Sequence, residues 1–413
     1  MHKKQHTFLI PNVTSAANIG DAAMLEVLIS LIRTANPKAQ IRIHSSEPDS
    51  YESANIAVSS NRPTLYFWTI FEKHAPFTRL YRLGLLLLSY IALCFNFTRL
   101  IKLISRFAPT LGVLLQEYLD ATVIVFVGGG YLRSKKGVTQ TLNLIMMLFP
   151  FALARFTRAK IVVAPISIGP FGYRWHEKLT AHVLRDYEHL AVREQFSFKH
   201  MQQYNLEGLT QSSDHALLVT AKKRSRKSKQ FVVGFTIRPW LHAAGQKNLE
   251  AAYSDALIRL AAIPNVVIQP IVQVDAPQFG EGDGEVTERV CTALKKAGVS
   301  VLPTILITSV EHAKNVYGKI NLLIGMRMHS NILAATQGTP FVAVSYEYKT
   351  EGIAADLGLE EFCLPCATLT SDSLFSTTVQ LKNKHRAVGQ KMTERLTTIQ
   401  TQESKRWIQL FTA

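Results

Sequence analysis

Residues 320–352 read INLLIGMRMHSNILAATQGTPFVAVSYEYKTEG. The apolar run INLLIG (320–325) predicts a buried strand, SNILAATQG (330–338) a helix closed by glycine, and PFVAVSYE (340–347) the next strand. Strand, helix and strand at that spacing form the unit of a parallel sheet covered by helices. In such sheets, ligands bind beyond the carboxyl ends of the strands. Here the first strand delivers Arg327 and His329 to that end, with Ser330 opening the helix. Arginine offers a fixed cationic fork for phosphate or carboxylate, histidine titrates near neutrality, and a helix start presents free N–H groups. The competing reading is packing: an arginine paired with a buried carboxylate, and a core histidine.

The same alternation extends outward. FLIPNV (8–13) predicts a strand and 21–34 a helix with Asp21 as its N-cap. IRIH (41–44), ATVIVFV (121–127), KIVVAP (160–165) and HLAVRE (189–194) predict further strands, with helices at about 140–156 and 175–187. A second series runs QFVVGFTI (230–237), NVVIQPIV (265–272), VSVLPTIL (299–306) and the opening stretch, each pair separated by a helical segment. Between the series, AKKRSRKSKQ (221–230) has six positive charges and no apolar period, as a linker would. The fold class is therefore α/β, with two Rossmann-like domains facing across a cleft. The expected limits are 1–225 with a basic, apolar helical insertion at about 60–110, then 226–385, then a C-terminal helix at 386–413 packing back on the first domain.

Composition narrows the classes. With 413 residues, two domains are expected at roughly 100–200 residues each. Apolar residues make up 47% and charged ones 18%, which excludes a disordered chain. Four cysteines cannot staple so long a chain, and the apolar run near the N-terminus is too short for a signal peptide, so a cytoplasmic location is expected. The net charge is +16, dispersed apart from 222–229, and no nucleic-acid motif accompanies it. Leu83–Phe97 (LGLLLLSYIALCFNF) lies between Arg79, Arg82, Arg99, Lys102 and Arg106. A spanning helix needs about 20 apolar residues, so a core helix and a helix lying on an anionic membrane are the main readings.

Other polar residues also fall at strand ends. Asn18, Gly20 and Asp21 follow the first strand; Gly128, Gly129 and Gly130 follow ATVIVFV; Arg193 follows HLAV beside Glu194. Asp214 precedes an apolar run, Arg238 follows VVGFTI, and Glu347 and Lys349 follow PFVAVSY. The glycines match neither GxGxxG nor a Walker loop, and Cys363 and Cys366 form a lone CxxC with no second pair, so no metal is called for.

At these residues the sequence resembles the polysaccharide pyruvyl transferase family. The resemblance rests on NIGDAAM (18–24), VFVGGGYL (125–132), APISIGPF (164–171), AVREQFSF (191–198), SDHALL (213–218), GFTIRP (234–239) and, longest, residues 325–359. It implies a fold similar to B-type glycosyltransferases, with phosphoenolpyruvate as donor and co-substrate and no cofactor. A hexose diol of an exopolysaccharide repeat would be the acceptor and a cyclic pyruvate ketal the product. The donor would meet Arg327, His329, Ser330, Arg193 and Arg238. The acceptor would lie on the N-terminal side near Asn18, Gly20, Gly129, Gly130, Asp214, Glu347 and Lys349. His329 would act as acid and Asp21 as base, with His215 and His44 next in line for the acid. A basic chain suits an acceptor linked to lipid pyrophosphate at the inner face of the membrane. Two rivals stand beside it: a nucleotide-sugar glycosyltransferase, with Glu347 or Glu351 on the ribose, and a binder of anionic membrane or nucleic acid.

Overall fold

The computed structural model describes residues 6–53, 60–63, 84, 88, 91, 103–104, 106–222, 230–240, 243–276 and 281–412. The expected insertion at about 60–110, the Leu83–Phe97 helix and the linker 221–230 therefore lie largely outside the described residues.

The chain divides into two compact units. The first comprises 1–16, 24–215 and 407–413, the second 17–23 and 216–406, so the borders differ from the expected ones at 225 and 385. In chain order the first unit begins with β1 (Thr7–Val13), α1 (Ile19–Ala35), β2 (Gln40–Ser45), α2 (Pro48–Ser53) and β3 (Ser60–Pro63). It continues with α3 (Pro109–Asp120), β4 (Val123–Phe126), β5 (Gly129–Leu132), α4 (Val138–Ala154), β6 (Lys160–Ile168) and α5 (Arg174–Leu184). β7 (His189–Val192), α6 (Gln195–Gln202) and β8 (Leu209–Gln211) follow. The strands form one parallel sheet in the order β3-β2-β1-β4-β6-β7-β8, with β5 also paired to β6. Every residue of β4 is buried, as a strand covered on both faces requires. The core packs Phe126 against Phe151 with ring centroids 3.8 Å apart, and Tyr187 donates its hydroxyl to the Phe151 carbonyl.

The second unit holds β9 (Phe231–Thr236), α7 (Ala243–Ala261), β10 (Val266–Val272), a small antiparallel ribbon of β11 (Asp275–Ala276) and β12 (Glu281–Gly282), and α8 (Gly284–Lys296). β13 (Ile305–Leu306), α9 (Val310–Lys319), β14 (Leu322–Gly325), α10 (Met328–Thr336) and β15 (Phe341–Ser345) come next. α11 (Tyr348–Asp356), β16 (Cys363–Pro365) and α12 (Ser371–Thr412) complete it. Its sheet is parallel in the order β13-β10-β9-β14-β15-β16. Both units are thus Rossmann-like.

Several elements depart from expectation. VSVLPTIL is not one strand: Val301 bridges Ile268 alone and only Ile305–Leu306 pairs with β10, because Pro303 between them has no N–H to give. The C-terminal helix begins at Ser371 rather than 386. Its last residues count with the first unit, where Asn36 and Lys160 donate to the carbonyls of Phe411 and Leu410 at 2.7 and 2.8 Å. Asp21 is not the N-cap of α1. The helix begins at Ile19, the Asn18 side chain accepts from the Gly20 N–H, and Asp21 sits in the first turn. Residues 17–23, expected on the N-terminal domain, count with the second unit.

Candidate functional site

In the second unit, three adjacent parallel strands end at one edge of the sheet. β9 is followed by Arg238, β14 by Arg327 and β15 by Tyr346. The turn after β14 is pinned by its own polar groups. Ser330 Oγ donates to the Arg327 carbonyl at 2.6 Å and lies 3.0 Å from Thr236 Oγ1, while Asn331 donates to the Gly325 carbonyl at 3.1 Å. Ser330 is fully buried and its hydroxyl shapes the turn, so its role as a donor-binding hydroxyl finds no support in this geometry.

Arg327 is held from the side by a carboxylate that the sequence did not disclose. Its Nε donates to both Asp283 oxygens at 3.1 and 3.2 Å, and Nη2 to Oδ1 at 2.7 Å. Asp283 is wholly buried and also accepts from the Val274 N–H. Burial raises its carboxyl above the ordinary value, with the Arg327 guanidinium and the Val274 N–H pulling the other way. The packing alternative, an arginine with a buried carboxylate, is therefore present in fact. Asp283 precedes α8 within EGDGE, a loop-like stretch 44 residues from Arg327, and nothing in it marks a buried partner.

A second arginine acts on this pair. Arg238 reaches the Tyr346 hydroxyl at 2.7 Å and stacks on that ring, and its charge also acts on Asp283. The His329 ring lies against the backbone of Gly20: a Cβ there would stand 2.0 Å from Nδ1, so only glycine admits the ring. Asn18 is tied to the same unit by a bridge to Val274. Glu347 and the buried Lys349 lie at the start of α11, 3.7 Å apart. One unit thus gathers Arg327, His329, Ser330, Arg238, Asn18, Gly20, Asp21, Glu347 and Lys349.

The remaining candidates fall in the first unit. Arg193 pairs with Asp214 at 2.6 Å rather than with its neighbour Glu194, and its Nε donates to Ser167 Oγ at 2.6 Å. Glu194 is itself buried, and its carboxylate has no hydrogen-bond partner among the described residues. Gly129 and Gly130 open β5, and Gly128 packs where a Cβ would come within 2.5 Å of the Pro165 carbonyl. Here glycine serves the approach of one backbone to another. His44 is buried beside Glu117 at 2.8 Å, and His215 is buried edge-on to Trp407 with centroids 4.6 Å apart. Burial lowers the His215 imidazole to about 4, with Asp214 opposing. Both read as core histidines.

Cys363 and Cys366 are pushed up to about 11 by burial, which holds them as thiols at neutral pH. Among the described residues no group of three or more His, Cys, Asp or Glu side chains is placed to hold a metal. No helix among them is long and apolar enough to cross a membrane.

The model of one protein family, described as polysaccharide pyruvyl transferase, matches residues 18–348. The amylovoran biosynthesis protein AmsJ of Erwinia amylovora is 39% identical over 56 residues, a match spanning 14% of this chain and 14% of that protein's length. A glycosyltransferase from Rickettsia africae superposes with a TM-score of 0.60 at 10% identity, covering 99% of this chain and 98% of that one. The UDP-GlcNAc 2-epimerase of Neisseria meningitidis superposes with a TM-score of 0.55 at 9% identity, covering 98% and 99%. At such identities the likeness is one of fold alone, two parallel α/β units.

Proposed function

The chain belongs to the polysaccharide pyruvyl transferase family, and from that premise we propose that it moves the pyruvyl group of phosphoenolpyruvate onto a hexose diol. The product is a cyclic pyruvate ketal on an exopolysaccharide repeat, and phosphate is released. One observation carries this reading: two arginines, Arg238 and Arg327, follow adjacent strands of one unit and both act on the buried Asp283, with His329 two residues after Arg327. Two guanidinium groups so placed suit a donor bearing both a phosphate and a carboxylate.

Arg327, fixed by Asp283, holds the phosphate, and Arg238 faces the carboxylate. His329 delivers a proton to the methylene carbon, turning it into a methyl group and leaving an oxocarbenium-like carbon. One sugar hydroxyl attacks that carbon and loses its proton, and the C–O bond to phosphate breaks. The second hydroxyl closes the ring, and its proton leaves with the phosphate. Asp21, in the first turn of α1 and in the same unit as His329, is the base for the attacking hydroxyl. Acid and base each contribute about 10²–10⁴-fold, and the cationic clamp stabilises the leaving phosphate. The reaction needs no cofactor beyond its co-substrate. Arg193 is committed to Asp214 and Ser167, which favours Arg238 over it as the carboxylate partner. A lipid-pyrophosphate-linked acceptor and a peripheral place at the cytoplasmic face of the membrane complete the reading.

Thermal unfolding with added ligands tests the donor. Phosphoenolpyruvate raises the melting temperature and UDP-sugars do not. The reverse result makes the chain a nucleotide-sugar glycosyltransferase. Mass spectrometry of the saccharide repeat, with and without the protein, then identifies the ketal.

A further inference from the structure

From Ala121 to His176 the chain carries no aspartate or glutamate, while Arg133, Lys135, Lys136, Arg155, Arg158, Lys160 and Arg174 fall in the same span. Part of this span forms an exposed apolar and basic surface. On α4, Val138, Leu142 and Ile145 recur at i, i+4 and i+7, so they share one helix face. All three are exposed, Val138 by 77%, while Leu144, Leu148 and Phe151 turn into the core. Tyr173 and Trp175, just before and within α5, are also exposed, Trp175 by 48%, and their rings stack at 6.5 Å.

These pieces make one patch. The Gly137 N–H at the start of α4 donates to the Tyr173 hydroxyl at 3.3 Å. The backbone at Gly172 packs so closely on Lys135 and Lys136 that a Cβ would meet their peptide at 2.3 Å. Beneath them lies His176, fully buried, with Nδ1 2.7 Å from Ser134 Oγ and Nε2 3.0 Å from Thr141 Oγ1. That imidazole ties the basic loop, the first turn of α4 and the start of α5 together. Arg133, Lys135, Lys136 and Arg174 are all exposed at its rim.

We infer that this patch is the face by which the protein seats on an anionic lipid bilayer. Aliphatic side chains enter the acyl boundary, tyrosine and tryptophan sit at headgroup depth, and the lysines and arginines meet the phosphates. Charge complementarity selects this occupant, since a rim of Arg133, Lys135, Lys136 and Arg174 around an apolar centre matches a negative interface with a hydrocarbon interior. α4 has 17 residues with one face in the core, so it lies along the surface and does not span. The surface deepens the reading of a lipid-linked acceptor and depends on it for its purpose, because seating there brings the enzyme to a substrate confined to two dimensions.

The test uses the full chain and vesicles of phosphatidylcholine with and without phosphatidylglycerol. The protein sediments with the anionic vesicles and is released by high salt. Lys135→Glu with Lys136→Glu weakens binding by roughly fivefold or more per lysine. Leu142→Glu with Ile145→Glu weakens it by at least about tenfold, because two apolar anchors are lost. In the unmodified chain, the emission that disappears in Trp175→Phe is quenched by brominated acyl chains. Four outcomes overturn the inference: undiminished binding in the Leu142/Ile145 variant, no bromolipid quenching of Trp175, binding lost only when apolar residues of 83–97 are replaced, or a variant that changes self-association without changing vesicle binding. Transfer to a soluble saccharide is assayed in parallel. Vesicle binding can therefore fail while pyruvyl transfer stands, and the converse.

Discussion

Arg193 in the first unit and Arg327 in the second occupy matching places, just beyond the carboxyl end of a parallel strand and paired with a wholly buried aspartate. Their surroundings differ. Around Arg193 stand Asp214 and Ser167, with the buried Glu194 next in sequence. Arg327 is bound to Asp283, a second arginine acts on that carboxylate, and His329 follows two residues on in the chain. A buried ion pair alone does not mark a ligand site, because removing two charges from water is costly and their attraction serves mainly to offset that. What separates the two is a second cation. Arg238 also acts on Asp283, whereas Arg193 is followed by the buried Glu194, and a pair of arginines suits a phosphorylated carboxylate.

The sharpest way to break this comparison is to cut each pair. Arg327→Met strands Asp283 in the core and should destabilise the protein by about 3–5 kcal/mol, as Arg193→Met should by stranding Asp214. Adding Asp283→Asn or Asp214→Asn should recover most of that loss, read from urea unfolding. The two double variants then part company: phosphoenolpyruvate binding measured by calorimetry disappears with Arg327 and persists without Arg193. Loss of binding in both would return Arg193 to the donor site.

A second effect belongs to the first unit alone. His215 has its imidazole lowered from 6.5 to about 4, so the unfolded chain takes up a proton that the folded chain refuses. This contribution to stability is whole above pH 6.5 and is lost as pH falls towards 4, by about 3 kcal/mol if the shift is complete. His215→Phe keeps a ring against Trp407 and should abolish that part of the acid sensitivity without altering turnover at neutral pH. An unchanged pH profile of unfolding would show that the imidazole is not held neutral.

His329 should behave in the opposite manner. His329→Gln should cut turnover by about 10²-fold or more, roughly 2.7 kcal/mol, with donor affinity and melting temperature nearly preserved. A drop in melting temperature with turnover per folded molecule intact would place His329 with the core histidines, and the acid would have to be another group.

The parallel series was legible because buried strands such as VIVF and LLIG are continuous apolar runs bounded by turns, and the helices between them keep their period. Short elements were not. β8 has three residues, two of them exposed, and pairing at the sheet edge rather than any apolar pattern makes it a strand. Arg327, His329 and Arg238 could be singled out because a strand end is a local property. Their partners could not: Asp283 lies in a polar loop, Asp214 was read as a ligand contact, and the stretch holding Gly20 joins a unit distant in sequence. Pairing of side chains across tens of residues is decided by tertiary packing, which leaves no periodic trace.

The smallest effect concerns that last contact. Gly20 lies in the first turn of α1, where alanine is the better helix former by about 1 kcal/mol. Yet its Cβ would press into the His329 ring, which must move aside because the glycine backbone cannot retreat without unwinding the turn. The helix gain and the displaced ring should nearly cancel, so Gly20→Ala is expected to change unfolding stability by less than about 1 kcal/mol. Turnover should nevertheless fall by about tenfold, because proton transfer is sensitive to the placement of the donor. The decisive measurement is the double variant. If Gly20 acts only through His329, adding Gly20→Ala to His329→Gln should cost no further turnover, since the group it misplaces is already gone. A full additional tenfold loss would mean that Gly20 serves the site by another route, such as the approach of a substrate to its backbone.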